Sequence, residues 1–230
     1  MMQLDLILNY IDYISKIVLA CFCILCGILF HSNSLQSKIS SQKYLLLGFA
    51  LFCYAFGITR AFFLYTDYRN MSMLASIGPS YDQNLDSLFI IPWKFASLMS
   101  ILALTFLIIV VETYIVKTRY IFSGICVFGV IAIIFIQDKN LINTISLIIF
   151  PLIVLDLLFA YIYVAIKAKG IPRKNSLLSF TSFILLGVGV FLDTELVESL
   201  IGLNISILGS ISMFLAFLLF IYANYRREGD

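Results

Sequence analysis

LINTISLIIFPLIVLDLLFAYIYVAIK (residues 141–167) followed by AKGIPRK (168–174) decides how this chain is read. The first part carries one charged residue, Asp156, before Lys167, and it exceeds the roughly 20 apolar residues that cross a bilayer core. The second part combines Lys169, Gly170 and Pro172 with Arg173 and Lys174. Lys-Gly-Ile-Pro stops one helix and turns the chain toward the next, and basic residues in a short turn mark the cytoplasmic side of a membrane. A helix spanning lipid and ending in the cytoplasm is predicted.

The same pattern recurs along the chain. Apolar runs bounded by charges or turn residues place helices near 7–31, 43–66, 87–116, 119–137, 141–167, 175–193 and 199–224. Lys38 and Lys43, then Lys117 and Arg119, then Lys167 to Lys174, then Arg226 and Arg227 all fall on one side. The opposite turns hold Asp5, Asp12, Asp67, Asp82, Asp86, Asp138, Asp193, Glu195 and Glu198, with Arg69 and Lys139 as exceptions. One added or dropped span would scramble this alternation. The expectation is an all-α, seven-helix transmembrane bundle forming one domain over 1–230, multi-pass in the cell membrane, with its amino terminus outside and its carboxyl terminus cytoplasmic.

Composition excludes several function classes. With 62% hydrophobic and 12% charged residues in 230, and a mean hydropathy of +1.04, the chain departs from soluble proteins. A net charge of +2 gives no basic face for nucleic acid. The cysteines at 21, 23, 26, 53 and 126 all lie in apolar runs, and His31 is the single histidine. No loop disulfide, metal site or cofactor is expected. The first apolar run lacks a basic leader, since Asp5 and Asp12 flank it, and reads as a retained helix.

Most connections are short, but roughly 20 residues from Asp67 to Asp86 form an expected outer loop. It contains the glycosylation-type triplet Asn70-Met71-Ser72 and the turn-rich Gly78-Pro79-Ser80-Tyr81-Asp82, which either caps the bundle or is disordered. Gly202, Ser206 and Ser210 recur every fourth residue in the last span, a small-residue seam for a close helix neighbour, either inside the bundle or in a second copy.

Charges inside spans are expensive and mark candidate sites. Lys16, Arg60, Lys94, Glu112 and Asp156 qualify. Lys94, Ser97, Ile101, Thr105 and Glu112 fall close to one line on the third helix, a polar stripe that either lines a cavity or bonds to neighbouring backbone. Arg60 and Lys94, next to Trp93, are expected near the outer surface, either closed by a ring of ion pairs or holding an anionic ligand that Arg60 grips bidentately. Asp156 lies too deep to reach water, with Tyr163 and Lys167 on its face and Pro151 before it; it reads as a cation or proton site or as a neutral hydrogen-bond donor. Glu112 is expected to pair with Lys117 or Arg119.

Known seven-helix families fit poorly. No lysine occurs from Gly202 to Asn224 to hold retinal, and histidines for a zinc hydrolase are missing. Phe56-Gly57-Ile58-Thr59-Arg60-Ala61-Phe62-Phe63-Leu64 with Asp67, and Glu112-Thr113-Tyr114-Ile115-Val116-Lys117-Thr118-Arg119-Tyr120-Ile121-Phe122, resemble segments of uncharacterised archaeal seven-helix membrane proteins. That resemblance implies a fold and no activity. Two readings follow. One is a receptor-like bundle binding a small anionic or amphiphilic, lipid-like ligand from outside through Arg60, Trp93, Lys94, Ser97 and Thr105, and signalling to a cytoplasmic protein partner. The other is a transporter or ion-conducting protein using Asp156, Glu112 and the stripe. A lipid-organising role comes third. An enzyme comes last, because no nucleophile, base and oxyanion set assembles.

Overall fold

A computed structural model describes residues 2–77, 87–116, 120–194, 197 and 205–225; its side chains are described from Tyr10 in the first helix, up to Asp67 in the second and from Ile90 in the third. Seven helices occur among the described residues: α1 Met2–Gln36, α2 Ser40–Ile77, α3 Ser87–Tyr114, α4 Ile121–Phe135, α5 Lys139–Lys167, α6 Ile171–Leu192 and α7 Ile205–Asn224. Six are long and apolar enough to cross a membrane, and α4 is the exception. Phe128, Phe135, Phe159 and Ile166 point outward, each at least two-thirds exposed. Large apolar side chains on the outside of a bundle with a packed interior are a lipid-facing surface. The chain is a multi-pass helical membrane protein.

Several boundaries depart from expectation, each for a local reason. The outer loop expected from Asp67 to Asp86 is helical as far as Ile77. Nothing breaks the helix before Gly78-Pro79, and Met71, Met73, Leu74 and Ala75 favour it. Asn70-Met71-Ser72 therefore sits in a helix, while the Gly78 to Asp82 stretch lies outside the described residues. Helix α6 starts at Ile171 rather than near 175, because Pro172 occupies the first turn, where a missing N–H is harmless. Gly170 enters that turn at φ 69°, a conformation open to glycine. Helix α4 is shorter than the expected 119–137, since Ile136 is already extended. Pro151 leaves α5 a single helix.

Successive helices run antiparallel. Phe30 meets Phe49, Phe62 meets Phe95, and Tyr161 meets Phe183. One end of the bundle holds Asp12, Lys16, Asp67 and Asp193 together, while Asn224 bonds Ser179 near the other. The two ends of the described chain thus lie at opposite ends of the bundle. Between them Phe56, Phe217, Phe52, Phe220 and Phe49 form a column of rings with neighbouring centroids 4.9–6.2 Å apart. Helices α6 and α7 approach each other closely. A Cβ added at Gly189 would stand 2.8 Å from the Gly209 carbonyl oxygen. Ser206 and Ser210 of the expected seam are buried on this helix, so at least part of the seam packs within the bundle; Gly202 lies outside the described residues.

Candidate functional site

Arg60 occupies one end of the ring column. Its guanidinium lies 5.0 Å from the centroid of Phe56, bonds Asp193 Oδ2 through Nη1, and reaches Met213 Sδ at 3.0 Å through Nη2. Asp193 sits just past the end of α6, and its other oxygen accepts from Ser206 Oγ at 2.8 Å. Lys16 bridges the remaining acids at 2.9 Å from Asp12, 3.5 Å from Asp67 and 3.7 Å from Asp193. Two cations and three carboxylates from α1, α2 and the α6 end form one network. Removing either partner of a buried pair is costly, because the other charge is left without compensation. Arg60 Nε and Asp12 Oδ1 are buried with no partner among the described residues. Arg60 therefore still has donor capacity.

Lys94 has a different place. Its Nζ donates to the Ile134 carbonyl at 2.9 Å, on the last turn of α4. At the other end of α3, buried Glu112 accepts from the backbone N–H groups of Phe122 and Ser123 at 3.1 Å each, and from the Ser123 hydroxyl. A helix leaves its first N–H and last C=O groups without internal partners and carries partial charges of opposite sign at its ends. An acid on the N-terminus and a base on the C-terminus of α4 match both needs. The charges at the two ends of the predicted stripe thus clamp the short helix. Lys117 and Arg119, the expected partners of Glu112, lie outside the described residues.

Between these ends Ser97 donates to the Trp93 carbonyl at 3.1 Å and Thr105 to that of Ile101 at 2.8 Å, four residues back. Ile101 and Ile108 are buried beside them. Trp93 is buried, with Lys139 Nζ 5.6 Å from its ring centroid. Of the predicted ligand-binding residues, Trp93, Lys94, Ser97 and Thr105 share α3, while Arg60 is joined instead to Lys16 and Asp193. Asp156 is half-buried on α5. No group of three or more metal-ligating side chains occurs among the described residues.

The sequence marks Asp193 only as one outer acid among several and does not single it out as the partner of Arg60. Nor does it single out Ser123. Asp193 following the apolar Phe191-Leu192 end of a span, opposite the depth of Arg60, was the available signal. Ser123 shows none, since a serine near a helix start has many partners. No protein-family model, no curated protein and no solved structure matches this chain.

Proposed function

We propose that the chain is a receptor-like seven-helix protein of the cell membrane, amino terminus outside, that responds to a small anionic or amphiphilic ligand at the Arg60 network. The observation carrying this reading is that a buried guanidinium is held by a carboxylate from another helix end, Asp193, and keeps a spare donor at Nε. A carboxylate is a tethered equivalent of an anionic ligand. A free anion exchanging for Asp193 would release the α6 end from α2 while leaving Arg60 paired. Ligands shift a bundle only by binding two arrangements differently, and this exchange supplies such a difference. The lysine- and arginine-bearing turns at the other end offer a surface for a cytoplasmic protein partner.

The seventh crossing and the sidedness belong to the same proposal. Ser123 beside Glu112 and Ile134 beside Lys94 support α4 running alongside α3 between those two levels. Basic turns on one side support the orientation. Single cysteines at Lys38 and Thr194, probed with impermeant maleimide in intact cells and in inverted vesicles, would label from opposite sides; labelling from the same side overturns the topology.

Trp93 is the single tryptophan and lies in the outer region of the bundle. Octanoate titrated onto protein in nanodiscs should change its emission saturably. Asp193→Asn should tighten binding and Arg60→Gln should abolish it. Equal titrations for all three proteins would refute the exchange.

A second reading, ion-coupled transport, draws on Asp156, a half-buried carboxylate within a membrane-length helix. Gradient-driven flux in proteoliposomes that disappears in Asp156→Asn would replace the receptor reading with this one.

A further inference from the structure

A cavity of about 450 Å³ opens at the end of the bundle opposite the Arg60 network, between α2, α3, α5, α6 and α7. Its volume falls within the range of small-molecule sites. Phe49, the last ring of the central column, and Leu45 and Val164 supply apolar wall. Polar groups converge from five helices: Gln42, Tyr114, Tyr161, Asn175, Ser179 and Asn224. Two of them carry unused capacity. Tyr161 is 4% exposed, and its hydroxyl has no partner among the described residues. Asn224 uses its amide hydrogens on Ser179 Oγ at 3.1 Å and the Phe220 carbonyl at 2.9 Å, which leaves its side-chain oxygen as an acceptor.

A buried hydroxyl without a partner is unfavourable, and that of Tyr161, a lining residue, would be relieved by a ligand that draws it into a hydrogen bond. Among the described residues no acidic or basic side chain lines this cavity. Lys167 and Lys174 are instead placed over the rings of Tyr163 and Tyr222, at 4.6 and 5.8 Å from the centroids. A charged ligand would find no counter-charge among these lining side chains, at a large desolvation cost. We infer that this cavity is a binding site for an uncharged amphiphile with an apolar ring or chain against Phe49 and Leu45 and a hydroxyl or carbonyl head between Tyr161 and Asn224. It is distinct from the anionic site proposed at the other end.

The test uses the full chain in nanodiscs and three probes of matched shape: 2-phenylethanol, phenylacetate and 2-phenylethylammonium. Saturable binding above that of empty nanodiscs is expected for the alcohol, at least about tenfold tighter than for either ion. Tyr161→Phe, which keeps the ring and deletes the hydroxyl, should weaken the alcohol by about tenfold, the equivalent of one hydrogen bond. Asn175→Trp should block it. Since Asn175→Trp alters packing at the mouth, a second measurement is the rate at which Ser176→Cys reacts with neutral methyl methanethiosulfonate, which the alcohol should slow. Native mass spectrometry then separates two sources. A neutral glycerolipid carried by wild type and lost in Asn175→Trp identifies the bilayer; an empty protein that takes the alcohol from buffer identifies a soluble compound. No saturable binding, equal affinity for the three probes, or indifference to Tyr161→Phe would overturn the inference.

Discussion

Replacing Glu112 by alanine removes three hydrogen bonds at once from the start of α4. The Phe122 and Ser123 amides are left without an acceptor, and so is the Ser123 hydroxyl. Each buried donor left unsatisfied costs about 1–3 kcal/mol. Two amides at the lower half of that range, with the hydroxyl free to turn elsewhere, give about 3 kcal/mol for Glu112→Ala. Glu112→Gln retains one acceptor oxygen and should lose about half as much. Lys94→Met acts at the rim on a carbonyl with other ways to be solvated, and should cost at most about 1 kcal/mol. The assay is a titration of folded protein with dodecyl sulfate in mixed micelles, paired with hydrogen exchange at the Phe122 and Ser123 amides. Faster exchange confined to these two amides in Glu112→Ala identifies the clamp. If Glu112→Ala matched Lys94→Met in stability and both amides stayed protected, the clamp reasoning would be wrong. Should Glu112→Gln be fully stable yet abolish ion flux, the side chain would be serving ion movement instead.

Other outcomes follow from the same kind of accounting. Arg60→Met should cost about 3–5 kcal/mol by leaving Asp193 buried without its main partner, and Arg60→Met/Asp193→Leu should recover most of that loss; equal stability of the single and double variants in the same titration would contradict a mutual pair. Gly189→Ala places a methyl 2.8 Å from the Gly209 carbonyl oxygen and 2.9 Å from the Met213 nitrogen, so α6 and α7 must separate, at about 2 kcal/mol. Gly124→Ala meets nothing within 4 Å and should instead stabilise α4 by up to about 1 kcal/mol. Thermal unfolding of the two glycine variants in one detergent should move in opposite directions.

The helices were legible because apolar runs and charged turns record a requirement of the solvent. Backbone groups in lipid must bond within their own segment, so spans such as 141–167 declare their length and kind. Ends were less legible, since α2 continues past Asp67 for want of a breaker rather than because of any apolar signal. The charges were found as outliers, yet their partners were not. Arg60 and Asp193 are 133 positions apart, and only the packing of α2 against the α6–α7 pair joins them. Lys94 and Glu112 read as parts of one stripe, and both bond to α4. What they serve depends on where the 15-residue α4 begins and ends, which a seven-span pattern does not reveal. The cavity left fainter traces: Asn175 and Asn224 are amides at the edges of apolar runs, and Tyr161 looks like any other ring.

The shortness of α4 also reaches beyond the protein itself. Its 15 residues make a rod of about 22 Å against a hydrocarbon layer near 30 Å. On the proposed seven-span topology, lipids bordering that flank would thin, or head groups would sink toward Tyr120 and Lys139, at a fraction of a kcal/mol for every ångström of mismatch. The opposite flank, built on the much longer α1, imposes no such demand. The molecule would therefore wear a lopsided lipid collar and gather short-chain lipids along one edge, so bilayer thickness becomes a variable to which this fold is mechanically sensitive.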